Sequence, residues 1–225
     1  MGEPREVGKT PSLRRLDDPM DPAFEGLLDV YVESIPLRER KSPEAVRGLC
    51  SRQDYRLMVM EAGRRVMGFS VLFIPPGRPF FLLEYMAVAS TERNRGLGSR
   101  LFQQSLAEAK DTPGRSWALL EVDAARGGSA DFIACKRRHR FYRRMGCLRV
   151  EGLSYLLPLP GEGDPPPMDL LVHGPGPPTG EPRHLARAEL EKWLAVVYSE
   201  VYGCSPEDPR LRLMTSRLGD EVFLC

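Results

Sequence analysis

The sequence predicts an α/β (α+β) fold: one mostly antiparallel sheet flanked by helices, followed by a C-terminal helical extension. Three observations carry this reading. Two apolar runs, "YRLMVME" and "RVMGFSVLFI", stand on either side of the short turn "AGRR", which is the pattern of a β-hairpin. A near-continuous apolar run, "FFLLEYMAV", then reads as a central strand, because only a strand covered on both faces can be apolar at every position. After it, segments of helical period alternate with a further buried strand, "SWALLEV".

The elements follow in order. A helix starts at about Pro22, with Asp21 as N-cap and Phe24, Leu27, Leu28 and Tyr31 on one face. "SPEAVRGLCS" repeats the Ser-Pro start at Ser42 and turns Ala45, Val46 and Leu49 inward. The hairpin and the central strand come next. The following helix carries Leu97, Leu101, Phe102, Leu106 and Ala109 on one side and stops at Pro113. Another helix is expected from near Ser129 to Gly146, then two strands, "LRVEGLSYLL" and "MDLLVH", separated by "PLPGEGDPPP". "GPGPPTGEP" reads as a linker or long surface loop. Beyond it a helix from about Arg183 to Tyr202 carries the stripe Leu190, Leu194, Val197 and Val201, with Gly203 suited to its C-cap. A short helix and a tail complete the chain. The expected organisation is one domain over residues 10–175 and an extension over 176–225. The stripe requires the extension to dock, preferably on its own domain and otherwise on a second subunit as a homodimer.

Composition narrows the function classes. The chain has 225 residues, 42% of them hydrophobic, and a formal net charge of +1, so nothing biases it toward nucleic acid or a membrane surface. The five cysteines contain no CxxC pair and the three histidines match no ligand spacing. Free thiols in a reducing, cytoplasmic setting are expected, with no metal. No segment reads as a signal peptide or a membrane span.

The informative stretch is "MAVASTERNRGLGSRLF", Met86 to Phe102, where a strand breaks into a turn with three arginines and two glycines before a helix begins. A helix N-terminus exposes unpaired N–H groups and the positive end of the macrodipole. Gly96 and Gly98 allow close backbone approach to a pyrophosphate, and Arg93 and Arg95 can add charge-assisted bonds. The junction therefore reads as a seat for a phosphate.

"RNRGLG" fits R-x-x-G-x-G, and with "VMGF", "LLEYMAV" and the later "FYRRMG" the sequence resembles the GNAT superfamily of acyl-CoA N-acyltransferases over most of Arg14 to Val172. Asn94 stands where many members carry a second Gly and Ser90 where many carry Pro; Cys135 and Arg138 replace the family's frequent Asn and Ala. The resemblance implies a GNAT fold with acetyl-CoA, or another acyl-CoA, as cosubstrate. Its pyrophosphate would lie on Arg93, Asn94, Arg95, Gly96, Leu97, Gly98 and Ser99. A bulged strand would offer the backbone of Met86, Ala87 and Val88 to the pantetheine, with the Val88 N–H polarising the thioester carbonyl.

Acyl transfer to an amine needs a base, because an alkylamine with pKa near ~10 is protonated at neutral pH. Glu84, the one carboxylate in an apolar run, is the candidate base; the alternative is a carboxylate that faces solvent or pairs with an arginine. The resemblance makes Tyr142 the general acid for the CoA thiolate, with a core aromatic as the alternative. It also places the acceptor near "ESIPLRERK", Glu33 to Lys41. The basic run "KRRHRFYRR" reads mainly as a solvated helix face. The expected activity is N-acetylation of a primary amine on a small molecule. The alternatives are acetylation of a protein lysine or N-terminus, and a non-catalytic acyl-CoA sensor or interaction module.

Overall fold

The computed structural model describes residues 10–111, 114, 116–125, 132–159, 166–175 and 183–225. The chain divides into two compact units: residues 1–78 with 83–114, and residues 79–82 with 115–225. This division follows a different line from the 10–175 and 176–225 organisation read from the sequence.

The first unit opens with strand β1 (Ser12–Arg15), an element without a sequence signal, paired antiparallel with β2 (Tyr55–Ala62). β2 forms the expected hairpin with β3 (Arg65–Phe73), in register from Tyr55 opposite Phe73 to Ala62 opposite Arg65, with a shift between Met60 and Glu61. β4 (Phe80–Val88) follows, buried from Phe80 to Leu83 and half-buried from Glu84 onward. Helix α1 (Ala23–Ser34) buries Phe24, Leu27, Val30 and Tyr31. The Asp21 carboxylate accepts from the Ala23 N–H at 2.9 Å, as an N-terminal cap does. The short helix α2 (Pro43–Gly48) is capped by Ser42, whose hydroxyl accepts from the Ala45 N–H.

Helix α3 (Leu97–Lys110) buries Leu97, Leu101, Phe102, Leu106 and Ala109, the residues its period singles out. It also buries Ser105, whose hydroxyl lies 2.7 Å from that of Ser70 on β3. The next-door residue Phe69 meets the Tyr31 ring of α1 edge-on at 5.8 Å. Consecutive residues of β3 thus face α1 and α3, as strand alternation requires.

In the second unit, β5 (Trp117–Asp123) pairs antiparallel with β8 (Pro167–His173), from Ala118 opposite His173 to Asp123 opposite Met168. Helix α4 (Phe132–Arg144) ends at Gly146, which takes the left-handed φ of 85°. Its expected start near Ser129 lies outside the described residues. The single strand expected at "LRVEGLSYLL" is two: β6 (Leu148–Arg149) and β7 (Tyr155–Leu156), each paired with β8. Gly152, at φ 76°, turns the chain between them and ends the run.

The extension departs from its expected outline at both ends. Arg183–Ala186 is not the first turn of a helix but strand β9, paired antiparallel with β10 (Glu221–Leu224). Helix α5 (Arg187–Glu200) begins after β9, and α6 (Pro209–Thr215) precedes β10. α5 buries Leu190, Trp193, Leu194, Val197 and Tyr198, and Trp193 stacks on Phe80 and lies 5.8 Å from the Trp117 ring. The apolar stripe is docked within its own chain. Among the described residues no helix is long and apolar enough to cross a membrane.

Candidate active site

The carboxyl end of β4 and the start of α3 are joined by a tight connection. The Ala89 N–H still bonds to the Met67 carbonyl of β3 at 2.9 Å, and a 3-10 turn over Ser90–Glu92 follows. The chain then takes two left-handed residues, Asn94 (φ 63°) and Gly96 (φ 77°). Asn is the side-chain-bearing residue that tolerates this region best, which is why it stands there. Gly96 is the N-cap of α3 and supplies no side-chain hydrogen bond, so the first N–H groups of the helix remain directed outward. A Cβ on Gly96 would meet no heavy atom within 4 Å. Open space above an uncapped helix start fits a phosphate group.

The arginines differ in their engagement. Glu92 is buried and pairs with Arg95 and, at 2.8 Å, with Arg65. Arg95 is thus tied to the turn by a buried carboxylate while its side chain stays largely exposed. Arg93 bonds through Nε to the Val88 carbonyl at 3.3 Å, which ties the turn to the end of β4. Met86 and Val88 pack against the cluster of Met60, Met67, Leu97 and Leu101, so β4 and α3 are fixed to one another.

Glu84 is the deepest charge at the site. Its side chain is 2% exposed, and Oε1 receives the Lys41 ammonium at 2.5 Å. Its other oxygen, Oε2, and the hydroxyl of Tyr55 are both buried without a hydrogen-bond partner among the described residues. Burial, followed by the negative charge of Glu84, pushes the Tyr55 phenol well above its ordinary pKa. Tyr31 is raised as well, chiefly by burial. Its hydroxyl accepts from the Lys41 backbone N–H at 2.7 Å, and its ring meets Tyr85 edge-on at 5.2 Å. Tyr85 in turn donates to the Glu39 carbonyl at 2.9 Å.

Neighbouring residues Glu84 and Tyr85 therefore both reach the Tyr31–Lys41 segment. The Arg40 guanidinium bonds to the Ile35 and Val32 carbonyls at the end of α1, and this turn delivers Lys41 to Glu84. At the other end of the segment the Glu33 carboxylate accepts from the Ser90 N–H at 3.3 Å, and the Ser90 hydroxyl, followed by this N–H, holds its pKa below the usual range. The stretch Glu33 to Lys41 is thus bound to β4 at one end and to the turn that follows β4 at the other.

The sequence singles out Glu84 but gives no sign of its partners. Lys41 lay in the segment singled out as the acceptor wall, yet no local pattern links it to a residue 43 positions away. Tyr55 carried only the signal of an aromatic residue at a strand start.

Tyr142 belongs to the second unit. It is buried on α4, and burial pushes its phenol up to about 12, with the Arg138 guanidinium opposing the rise. Arg138 pairs with Asp123 of β5, and the His139 ring reaches the Asp123 carbonyl at 2.9 Å. These contacts fix the rotation of α4 and so the direction of Tyr142. Among the described residues no group of three His, Cys, Asp or Glu side chains is placed to hold a metal ion.

The description "Acetyltransferase (GNAT) family" matches residues 24–147, more than half of the chain. The chain belongs to the GNAT acetyltransferase family. A GNAT-family acetyltransferase structure from Bacteroides thetaiotaomicron is 25% identical with a TM-score of 0.68, covering 86% of this chain and 99% of its own. An aminoglycoside 6'-N-acetyltransferase complexed with coenzyme A shares the fold at 18% identity and TM-score 0.57, covering 74% of this chain and 99% of its own. NAA60 from Arabidopsis thaliana, in complex with acetyl-CoA, does so at 18% identity and TM-score 0.55, covering 73% and 98%. No curated protein sequence matches this one. The Bacteroides structure leaves 14% of this chain uncovered, about 31 residues, fewer than the 50 from 176 to 225. The likeness of this GNAT chain to that structure therefore reaches into the extension.

Proposed function

We propose that this GNAT chain is an acetyl-CoA-dependent N-acetyltransferase that acetylates a primary amine of a small molecule by direct attack on the thioester. One observation carries the reading: the Glu84 carboxylate is 2% exposed and already holds an alkylammonium, that of Lys41, on one oxygen, while its other oxygen, near the Tyr55 phenol, completes no hydrogen bond among the described residues. A buried carboxylate left incompletely satisfied is costly unless it has a task, and binding and deprotonating an ammonium is the task this geometry suits.

In this reading the pyrophosphate of acetyl-CoA lies on the uncapped N–H groups of Leu97, Gly98 and Ser99, above Gly96. Arg93, Asn94 and Arg95 shape and charge the approach. Met86, Ala87 and Val88 present backbone to the pantetheine, and the Val88 N–H faces the developing oxyanion. Glu84 takes the proton that keeps the amine from attacking, and Tyr142 returns a proton to the thiolate. Being raised to about 12, Tyr142 stays protonated at neutral pH, as a general acid must. The described cysteines are free thiols, in keeping with a reducing, cytoplasmic setting. Residues 10–175 form the catalytic domain in this scheme, and 176–225 form a brace for it.

The Lys41–Glu84 pair also favours a second reading, an acyl-CoA sensor in which the carboxylate is neutralised and idle. A panel of small amines, lysine peptides and peptides with free N-termini, followed by detection of the CoA thiol, separates the two. Release of CoA with a small amine that is lost in Glu84→Gln supports the enzyme. Binding of acetyl-CoA with no release on any acceptor supports the sensor, and release only with peptides reassigns the acceptor.

A further inference from the structure

Lys41 stands where the acceptor amine of the proposed reaction would stand. Its Nζ is 2.5 Å from Glu84 Oε1, inside the distance over which a base removes a proton. The lysine is no loose surface side chain. Its backbone N–H is held by the Tyr31 hydroxyl at 2.7 Å, its ammonium lies 5.9 Å above the Tyr85 ring, and its side chain is 22% exposed. The segment that carries it is bound at its other end to Ser90, next to the start of the cosubstrate seat. An amine fixed beside the base is presented to the thioester at high effective concentration.

We propose that Lys41 is itself an acetylation site: the chain transfers an acetyl group from bound acetyl-CoA to its own Lys41. The inference rests on the proposed function, which supplies both acetyl-CoA and the role of Glu84. Glu84 takes a proton from the Lys41 ammonium, and the freed nitrogen pair attacks the carbonyl carbon of the thioester. The N–C bond forms, the C–S bond breaks, and the sulfur leaves as the CoA thiolate. Of the two protons the nitrogen sheds, one ends on the CoA sulfur and the other passes through Glu84 to solvent. The product is a neutral amide, so the modification abolishes the positive charge that occupies Glu84. A cationic acceptor then meets an unpaired carboxylate rather than one it must take from Lys41.

The test is incubation of the full chain with acetyl-CoA and no acceptor, followed by intact mass and peptide mapping, with acetyl-CoA binding measured by calorimetry. The expected result is one acetyl group per chain, on Lys41, gained at a rate independent of protein concentration. Spontaneous acetylation would instead favour the exposed Lys136 and Lys192. Glu84→Gln should slow labelling of Lys41 about a hundredfold while acetyl-CoA still binds. A chain that binds acetyl-CoA and acetylates an added amine but leaves Lys41 unmodified overturns the inference and spares the proposed function. Labelling of Lys41 no faster than of Lys192, or unchanged in Glu84→Gln, overturns it as well. A chain that does not bind acetyl-CoA overturns both.

Discussion

Trp193 of α5 stacks on Phe80 at the start of β4, ring centroids 5.4 Å apart and planes 26° from parallel. Trp193→Ala removes this stack, the Trp117 contact and the largest side chain on the buried face of α5. The expected loss is about 3–5 kcal/mol, read as a fall in melting temperature on the order of 10 °C. A chain ending at Pro177 loses the whole face and should aggregate. A truncated chain that stays soluble and melts where the full chain does would show that α5 contributes nothing to stability.

Gly68 sets the approach of β3 to β4. A Cβ at this position would lie 2.8 Å from the Ala87 carbonyl oxygen and 3.4 Å from Leu101 Cδ2. Gly68→Ala should cost about 1–3 kcal/mol, because a backbone oxygen cannot swing aside. Adding Leu101→Ala should not restore stability in chemical denaturation; restoration would place the strain on the leucine.

Gly96 allows backbone geometry and phosphate space to be separated. Its φ of 77° penalises an ordinary side chain by about 1–2 kcal/mol, whereas Asn tolerates the left-handed region, as Asn94 does at φ 63°. Gly96→Asn should therefore melt close to the parent while binding acetyl-CoA at least tenfold more weakly by calorimetry, since its side chain enters the space above the helix start. Unchanged affinity would move the pyrophosphate elsewhere.

Tyr142→Phe should slow turnover and leave acetyl-CoA binding intact if the phenol protonates the thiolate. Equal turnover in single-turnover kinetics would return Tyr142 to the role of a packed aromatic.

The same burial has a pH signature. It pushes the Tyr142 phenol from about 10 and the Cys147 thiol from about 9 up to about 12. The folded chain holds these protons more tightly than the unfolded chain. Their contribution is complete below pH about 9 and is lost as the pH rises through about 12. Melting temperature should fall between about pH 9 and about pH 12, and less so in Tyr142→Phe. A flat profile would mean that both groups ionise without unfolding.

Particular residues show why some of this was legible in the sequence and some was not. The face of α3 could be read because Leu97, Leu101, Phe102, Leu106 and Ala109 obey a local period, and each is buried. Glu84 could be read because a carboxylate in an apolar strand is anomalous by itself. The engagement of Glu84 with Lys41 could not, since it arises from a loop brought across 43 residues. β9 was read as helix because four residues adjoining a helical stripe carry no period of their own. Its partner β10, more than thirty positions on, decides its conformation. At Gly152 a single left-handed residue outweighed the apolar run around it.

The clasp at the end of the chain bears on biosynthesis. Arg149 and Cys225 exchange two backbone hydrogen bonds, at 2.6 and 3.0 Å, across 76 residues, and the Glu151 N–H bonds to the Phe223 carbonyl at 2.9 Å. At roughly 5–20 residues per second, a ribosome that has just made Arg149 needs about 4–15 s to reach Cys225. Until then the outer edge of β6 carries unpaired backbone groups. In that interval the open edge is a template on which a strand of another chain could pair, so the order of synthesis leaves this part of the second unit exposed to mispairing longer than any of its neighbours.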